Sequence, residues 1–302
     1  MCTVCPKQKK ALAFFVAIVG AFFGFYTIFS YTMKPSLPNK PAVIVSTFAL
    51  YDISRAVAGD TLEIKTVVPL GSDAHAYSPT PSDIAIFSKA SLFFINGSGF
   101  EGWVENLKNT LPASVHIVDM SLHVGLLDND PHYWLNIDNM IEMTWEVQRQ
   151  FSALSPTNKA LYQANGDRHR EALQKLKQQY AVGLKECKNR TLVTNHNAFG
   201  YLAYSNDLKN ISIIGLSSDE QPSAKKMAEI STLMQKEKIS TIFFEETIDD
   251  NVAQTIAKSS GAIAQSLQPL ENITQSEFDA NATYISIMEN NLMKLRSAME
   301  CR

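Results

Sequence analysis

This chain carries little charge for its length and has no long basic run beyond its N-terminus. Of its 302 residues 19% are charged, 27 basic against 30 acidic, for a net charge of −3. That balance argues against a nucleic-acid partner, which asks for a strongly basic face. Cysteine is scarce, with four residues: Cys2 and Cys5 at the N-terminus, Cys187 past mid-chain and Cys301 near the C-terminus. No internal sequence repeat joins the two halves. What is present is ordinary globular material: 45% of residues are hydrophobic, which excludes wholesale disorder. The length suffices for a sizeable core and most simply makes two lobes.

The N-terminus stands apart. Residues 1–10 carry Lys7, Lys9 and Lys10, and residues 11–31 carry no charge at all. Such a run is long enough to cross a bilayer. Lysines before it keep the start in the cytoplasm and send the rest outward. It ends in Phe29-Ser30-Tyr31-Thr32-Met33, without the Ala-x-Ala pattern of a cleavage site and without a cysteine for lipid attachment. The expectation is an uncleaved transmembrane helix over 11–31 behind a cytoplasmic tail. It tethers the protein to the outer face of the cytoplasmic membrane; cleavage, leaving a soluble periplasmic protein, is the alternative. Cys2 and Cys5 then face a reducing compartment, whereas Cys187 and Cys301 lie in the exported part, where a disulfide can persist.

Residues 32–41, with three prolines, form a spacer. Strand and helix patterns then alternate. Strands are expected at 42–46, 62–68, 92–95 and 115–119, with helices at 50–58, 82–89, 103–107 and 140–154. The strands are apolar runs rather than strict alternations, the mark of a parallel sheet covered on both faces. Ser155-Pro156 reads as cap and first turn of a long amphipathic helix over 155–187. At about thirty residues, roughly 45 Å, it suits a strut between two lobes. A second series follows over 188–302: strands at 191–194, 211–214, 241–244 and 262–267, and helices at 199–205, 224–236, 251–259 and from about 283. The fold class is α/β, with lobes at 42–154 and 188–302.

Three of the six histidines sit in loops suited to presenting an imidazole. His75 lies in Gly71-Ser72-Asp73-Ala74-His75-Ala76-Tyr77-Ser78-Pro79-Thr80-Pro81-Ser82-Asp83, His132 in Asp130-Pro131-His132-Tyr133-Trp134, and His196 in Thr194-Asn195-His196-Asn197-Ala198-Phe199-Gly200-Tyr201. Each adjoins a strand and precedes a helix, and ligand groups converge at the carboxyl ends of strands in open α/β sheets. Three imidazoles meeting there would take zinc or a similar borderline ion. His116, His123 and His169 read as ordinary surface or core residues, although His123, shortly before His132, could touch a metal transiently.

Together these motifs resemble the metal-receptor proteins of bacterial ABC importers for zinc and manganese, the cluster A-I solute-binding proteins. The resemblance runs from about Ala42 to the C-terminus and includes the Phe243-Phe244-Glu245 strand end and the Ser155-Pro156-Thr157-Asn158 helix start. It implies a monomer of two α/β lobes, each a mostly parallel sheet flanked by helices, joined by one backbone helix. Metal would sit in the cleft, held by His75, His132 and His196, for delivery to an ABC permease. The family's usual fourth ligand is an Asp before the last helix, but Ala282 stands there. Asp279 is the substitute expected from position, with Glu245 and water as alternatives. The long histidine-rich loop of some zinc members is missing.

Three neutral imidazoles favour Zn²⁺, with Mn²⁺ the alternative, because manganese sites lean on carboxylate oxygens. Three histidines and an open position are also the plan of a zinc hydrolase. No paired base, oxyanion device or nucleophile motif adjoins the histidine loops, so the protein reads as a receptor and not an enzyme.

Overall fold

The computed structural model describes residues 40–302 except 129, 217–221 and 247–249. The expected tail and anchor (1–31) and nearly all of the spacer lie outside the described residues. Among the described residues no helix is long and apolar enough to cross a membrane.

Two four-stranded parallel sheets organise the chain. The first contains β1 (Ala42–Val45), β2 (Glu63–Thr66), β3 (Leu92–Ile95) and β4 (His116–Asp119) in the order β2-β1-β3-β4. The second contains β5 (Thr191–Thr194), β6 (Lys209–Ser212), β7 (Thr241–Phe244) and β8 (Ile263–Ser266), in the matching order β6-β5-β7-β8. In each sheet the chain leaves the first strand to one side and returns on the other. This switch point opens a crevice at the carboxyl ends of the central pair. The central strands are buried on both faces, Leu92 to Ile95 completely so, which accounts for their unbroken apolar runs.

Helices cover the sheets: α1 (Phe48–Ala58), α2 (Pro81–Phe87), α3 (Val104–Lys108) and α4 (Ile137–Leu154) in the first half. α5 (Lys159–Gly183) links the halves. In the second half lie α6 (Gly200–Ser205), α7 (Ala224–Glu237), α8 (Asn251–Ser260), α9 (Gln275–Asp279) and α10 (Tyr284–Ala298). The linking helix is shorter than the expected 155–187. Pro156–Asn158 form a 3-10 turn, and α5 ends at Gly183 because Cys187 is drawn into a bridge with Cys301. Its 25 residues span about 38 Å. α5 packs on α4, α1 and α10, so it touches elements of both halves.

One stretch after β8 has no counterpart in the sequence expectations. Residues 268–273 run back onto the first half and supply acceptors there. The first amides of α1, which have no partner inside their own helix, donate from Phe48 to the Glu271 carbonyl (2.8 Å) and from Ala49 to the Leu270 carbonyl (3.2 Å). Asn272 Nδ2 donates to the carbonyls of Pro69 and Ser72 (2.7 and 2.8 Å), and Trp134 Nε1 to that of Pro269 (2.7 Å). α10 is docked in the same way: Asp52 accepts from the Tyr284 amide (3.0 Å), and the Tyr284 hydroxyl donates to the Trp134 carbonyl (2.7 Å). One apolar cluster consequently includes Val43 and Phe94 beside Leu192, Phe243 and Leu267. The short helix α9, capped by a reciprocal Thr274–Glu277 box, is a second element the sequence expectations lack.

Cys187 and Cys301 form a disulfide that closes a 114-residue separation around the second half. A loop of that size carries a chain-entropy stabilisation of about 4–5 kcal/mol, with about 2–5 kcal/mol the usual measured loss on removal. Cys187→Ser/Cys301→Ser should therefore unfold at distinctly lower urea concentration than the oxidised protein. An unchanged midpoint would show that the bond constrains nothing.

Candidate metal centre

Parallel register builds one wall of the site. Thr194 at the end of β5 pairs with Phe243 in β7, and each strand presents a side chain two residues further on, His196 and Glu245. Both are buried, and the Glu245 carboxylate lies against His196 Nδ1. Across the crevice His132 follows β4 through a loop and leads into a 3-10 turn, Tyr133–Leu135, anchored by the Tyr133 hydroxyl donating to the Asn96 carbonyl (2.7 Å). Asp130 Oδ1 faces His132 Nδ1 at 2.7 Å and accepts its backbone amide at 2.9 Å. His75 arrives on the loop between β2 and α2, its amide donating to Asp73 Oδ1 (2.9 Å) and its ring packed against Phe100, centroids 4.6 Å apart.

The Nε2 atoms of the three histidines converge, 3.3 Å apart for His75–His132 and 3.4 Å for His132–His196. Glu271 Oε1 is the fourth donor, at 3.1 Å from His132, 3.4 Å from His75 and 3.6 Å from His196. All four groups form one cluster able to hold a metal ion. A tetrahedral zinc shell with bonds of 2.0–2.1 Å has edges of about 3.3–3.4 Å. Five of the six edges, at 3.1–3.6 Å, scatter around that value, and all four atoms lie within 4.8 Å of one another. The Nδ1 positions of His132 and His196 face carboxylates, which puts their protons on Nδ1 and leaves the Nε2 lone pairs for the ion.

The acid of this cluster is Glu271, not the expected Asp279. Asp279 is exposed on α9 and accepts from Gln275 Nε2 at 2.8 Å, outside the cluster. Glu245, the second alternative, is occupied behind His196. Ala282 packs against the core just before Thr283, the cap of α10. Nothing in the sequence marks Glu271, which lies in the crossing stretch with no motif around it; a lone acid between Leu270 and Ile273 is its one local sign. His123 lies apart, its Nε2 3.6 Å from Glu146. Burial pushes His169 on α5 down to about 4, as for a neutral core histidine.

Carboxylates and imidazoles face one another in this buried pocket. Burial resists protonation of His132, but hydrogen bonds to Asp130 and Glu271 outweigh it and raise its pKa to about 9. His196 is raised in the same way, against burial, by Glu245. Burial works against charge on Glu271 too, yet His75 and His132 hold it well below the usual carboxylate range.

A family model described as the periplasmic component A of zinc-uptake complexes, ZnuA, matches residues 43–298. The chain belongs to the ZnuA family. It is 34% identical over 282 residues to the zinc-binding lipoprotein AdcA of Streptococcus pneumoniae, covering 87% of this chain and 56% of that protein. The chain therefore spans little more than half of that relative. It is 28% identical over 281 residues to the high-affinity zinc uptake system protein ZnuA of Bacillus subtilis, covering 86% and 88%. The Zn(II)-bound ZnuA-like domain of the S. pneumoniae AdcA superposes with a TM-score of 0.77 at 33% identity, covering 86% of this chain and 99% of that one.

An imidazole must shed its Nε2 proton to bind a metal, so the raised pKa of His132 makes binding a proton-releasing reaction. Zinc affinity should climb with pH through the neutral range and level off above about 9. Calorimetric titrations at pH 7.5 in buffers of different ionisation enthalpy should report at least one proton released per zinc. Heats independent of the buffer would contradict this.

Proposed function

We propose that this protein is an extracytoplasmic receptor that captures Zn²⁺ between its two lobes and hands it to an ABC permease. The observation that carries the reading is the four-donor cluster, five of whose six edges have tetrahedral zinc length. Membership of the ZnuA family and the named zinc-binding relatives support it. The uncharged run 11–31 behind Lys7, Lys9 and Lys10 is read as the tether that keeps the receptor at the membrane.

Manganese remains the competing cargo, and the carboxylate of Glu271 gives that ion one hard ligand. Three of four donors are nevertheless nitrogen, and their spacing suits four ligands rather than the oxygen-rich octahedron that Mn²⁺ favours. A three-histidine hydrolase fits less well, since catalytic zinc keeps one position open for water or substrate and Glu271 stands at the fourth corner. The zinc is cargo on this reading, and the protein's task is to hold it reversibly.

Metal-stripped protein titrated with Zn²⁺ should bind one ion. Alanine at His75, His132, His196 or Glu271 should each weaken binding roughly a hundredfold or more, beyond the 10- to 100-fold usual for supporting residues. Asp279→Ala should leave it unchanged. Zinc should also raise unfolding stability by about 1.4 kcal/mol per tenfold excess over the dissociation constant. Wild-type affinity in Glu271→Ala together with loss in Asp279→Ala would overturn the ligand set. Tighter binding of Mn²⁺ than of Zn²⁺ would overturn the choice of metal.

A further inference from the structure

Two sequence motifs that each supply one histidine also touch one another, at residues that bind no metal. Gly200 and Tyr201 close the His196 motif and open α6 in the second half. Asp130 opens the His132 motif in the first. The Tyr201 side chain is fully buried, and its hydroxyl both accepts and donates. It accepts from the Leu127 amide at 2.6 Å and donates to the Asp130 carbonyl at 3.1 Å. Both bonds run from the second half to the loop that delivers His132.

Gly200 completes the contact. A Cβ at this position would stand 2.5 Å from Asp130 Oδ2. The carboxylate has little freedom to move aside, because its Oδ1 holds both the backbone amide and Nδ1 of His132. Glycine here serves close approach rather than backbone conformation. One side of the Asp130 carboxylate orients His132, and the other side rests on α6. The ligand of the first half is thus aligned by a helix of the second.

We infer that Tyr201 and Gly200 form an interlobe latch, positioning His132 through Asp130 and slowing the escape of zinc from the closed cleft. The latch rests on the zinc-receptor reading and goes beyond it, since neither residue belongs to the ligand set. Opening the cleft must break the two Tyr201 hydrogen bonds and withdraw the Asp130 carboxylate from α6. His132 then loses its orientation in the same motion, so opening and release are one event.

The test is a chelator chase on zinc-loaded protein followed by stopped flow, comparing wild type with Tyr201→Phe and Gly200→Ala. Tyr201→Phe removes only the hydroxyl; Gly200→Ala keeps every hydrogen-bonding group and disturbs the contact from the other side. Both should release zinc roughly 10- to 100-fold faster, the range for residues that orient a ligand. Tyr204→Phe, exposed on the same helix, should match wild type. Release rates within twofold of wild type, with metal-free and zinc-loaded melting temperatures lowered equally, would mean a merely structural role and overturn the latch. A wild-type protein that binds no zinc would instead overturn the receptor reading, and the latch with it.

Discussion

The Glu271 carboxylate, buried and within 3.1–3.6 Å of three imidazole nitrogens, is the interaction on which the site depends. An isolated buried carboxylate is costly and would ordinarily neutralise itself. Here the neighbouring His75 and His132 hold its pKa well below the usual carboxylate range, and a bound divalent ion would favour the ionised form as well.

That carboxylate is placed by backbone connectivity rather than by local pattern. The 268–273 stretch leaves the second sheet and gives its carbonyls to the first turn of α1. Glu271 is therefore attached to the first half by its backbone while its chain neighbours belong to the second. The Asp130–Tyr201 contact crosses the other way. Glu271 and, through Asp130, His132 are thus positioned by contacts from both halves.

Much of this was legible in the residues. The strand runs at 92–95, 191–194 and 241–244 match the observed strands residue for residue, because their apolar stretches are short and bounded by turn residues. His75, His132 and His196 were recognisable because rigid, proline-bearing loops or strand ends surround them. Glu271 was not, since no periodicity marks a stretch whose role is to cross between halves. Position relative to the last helix points instead to Asp279, which is exposed at the end of α9 and paired with Gln275. Glu245 shows the complementary difficulty: its carboxylate was a candidate ligand by type, and only the β5–β7 register reveals that it stands behind His196. The long helix was visible from its amphipathic pattern, but its ends were not, because a 3-10 turn and a disulfide trim it.

A closed shell of three imidazoles and one carboxylate is what the proposed zinc site requires. Zinc K-edge X-ray absorption on the zinc-loaded protein measures that shell directly. Four light donors are expected, three nitrogens from imidazole and one oxygen, at about 2.0–2.1 Å. A first shell of five or six donors at longer distance, or one with fewer than three imidazoles, would contradict it.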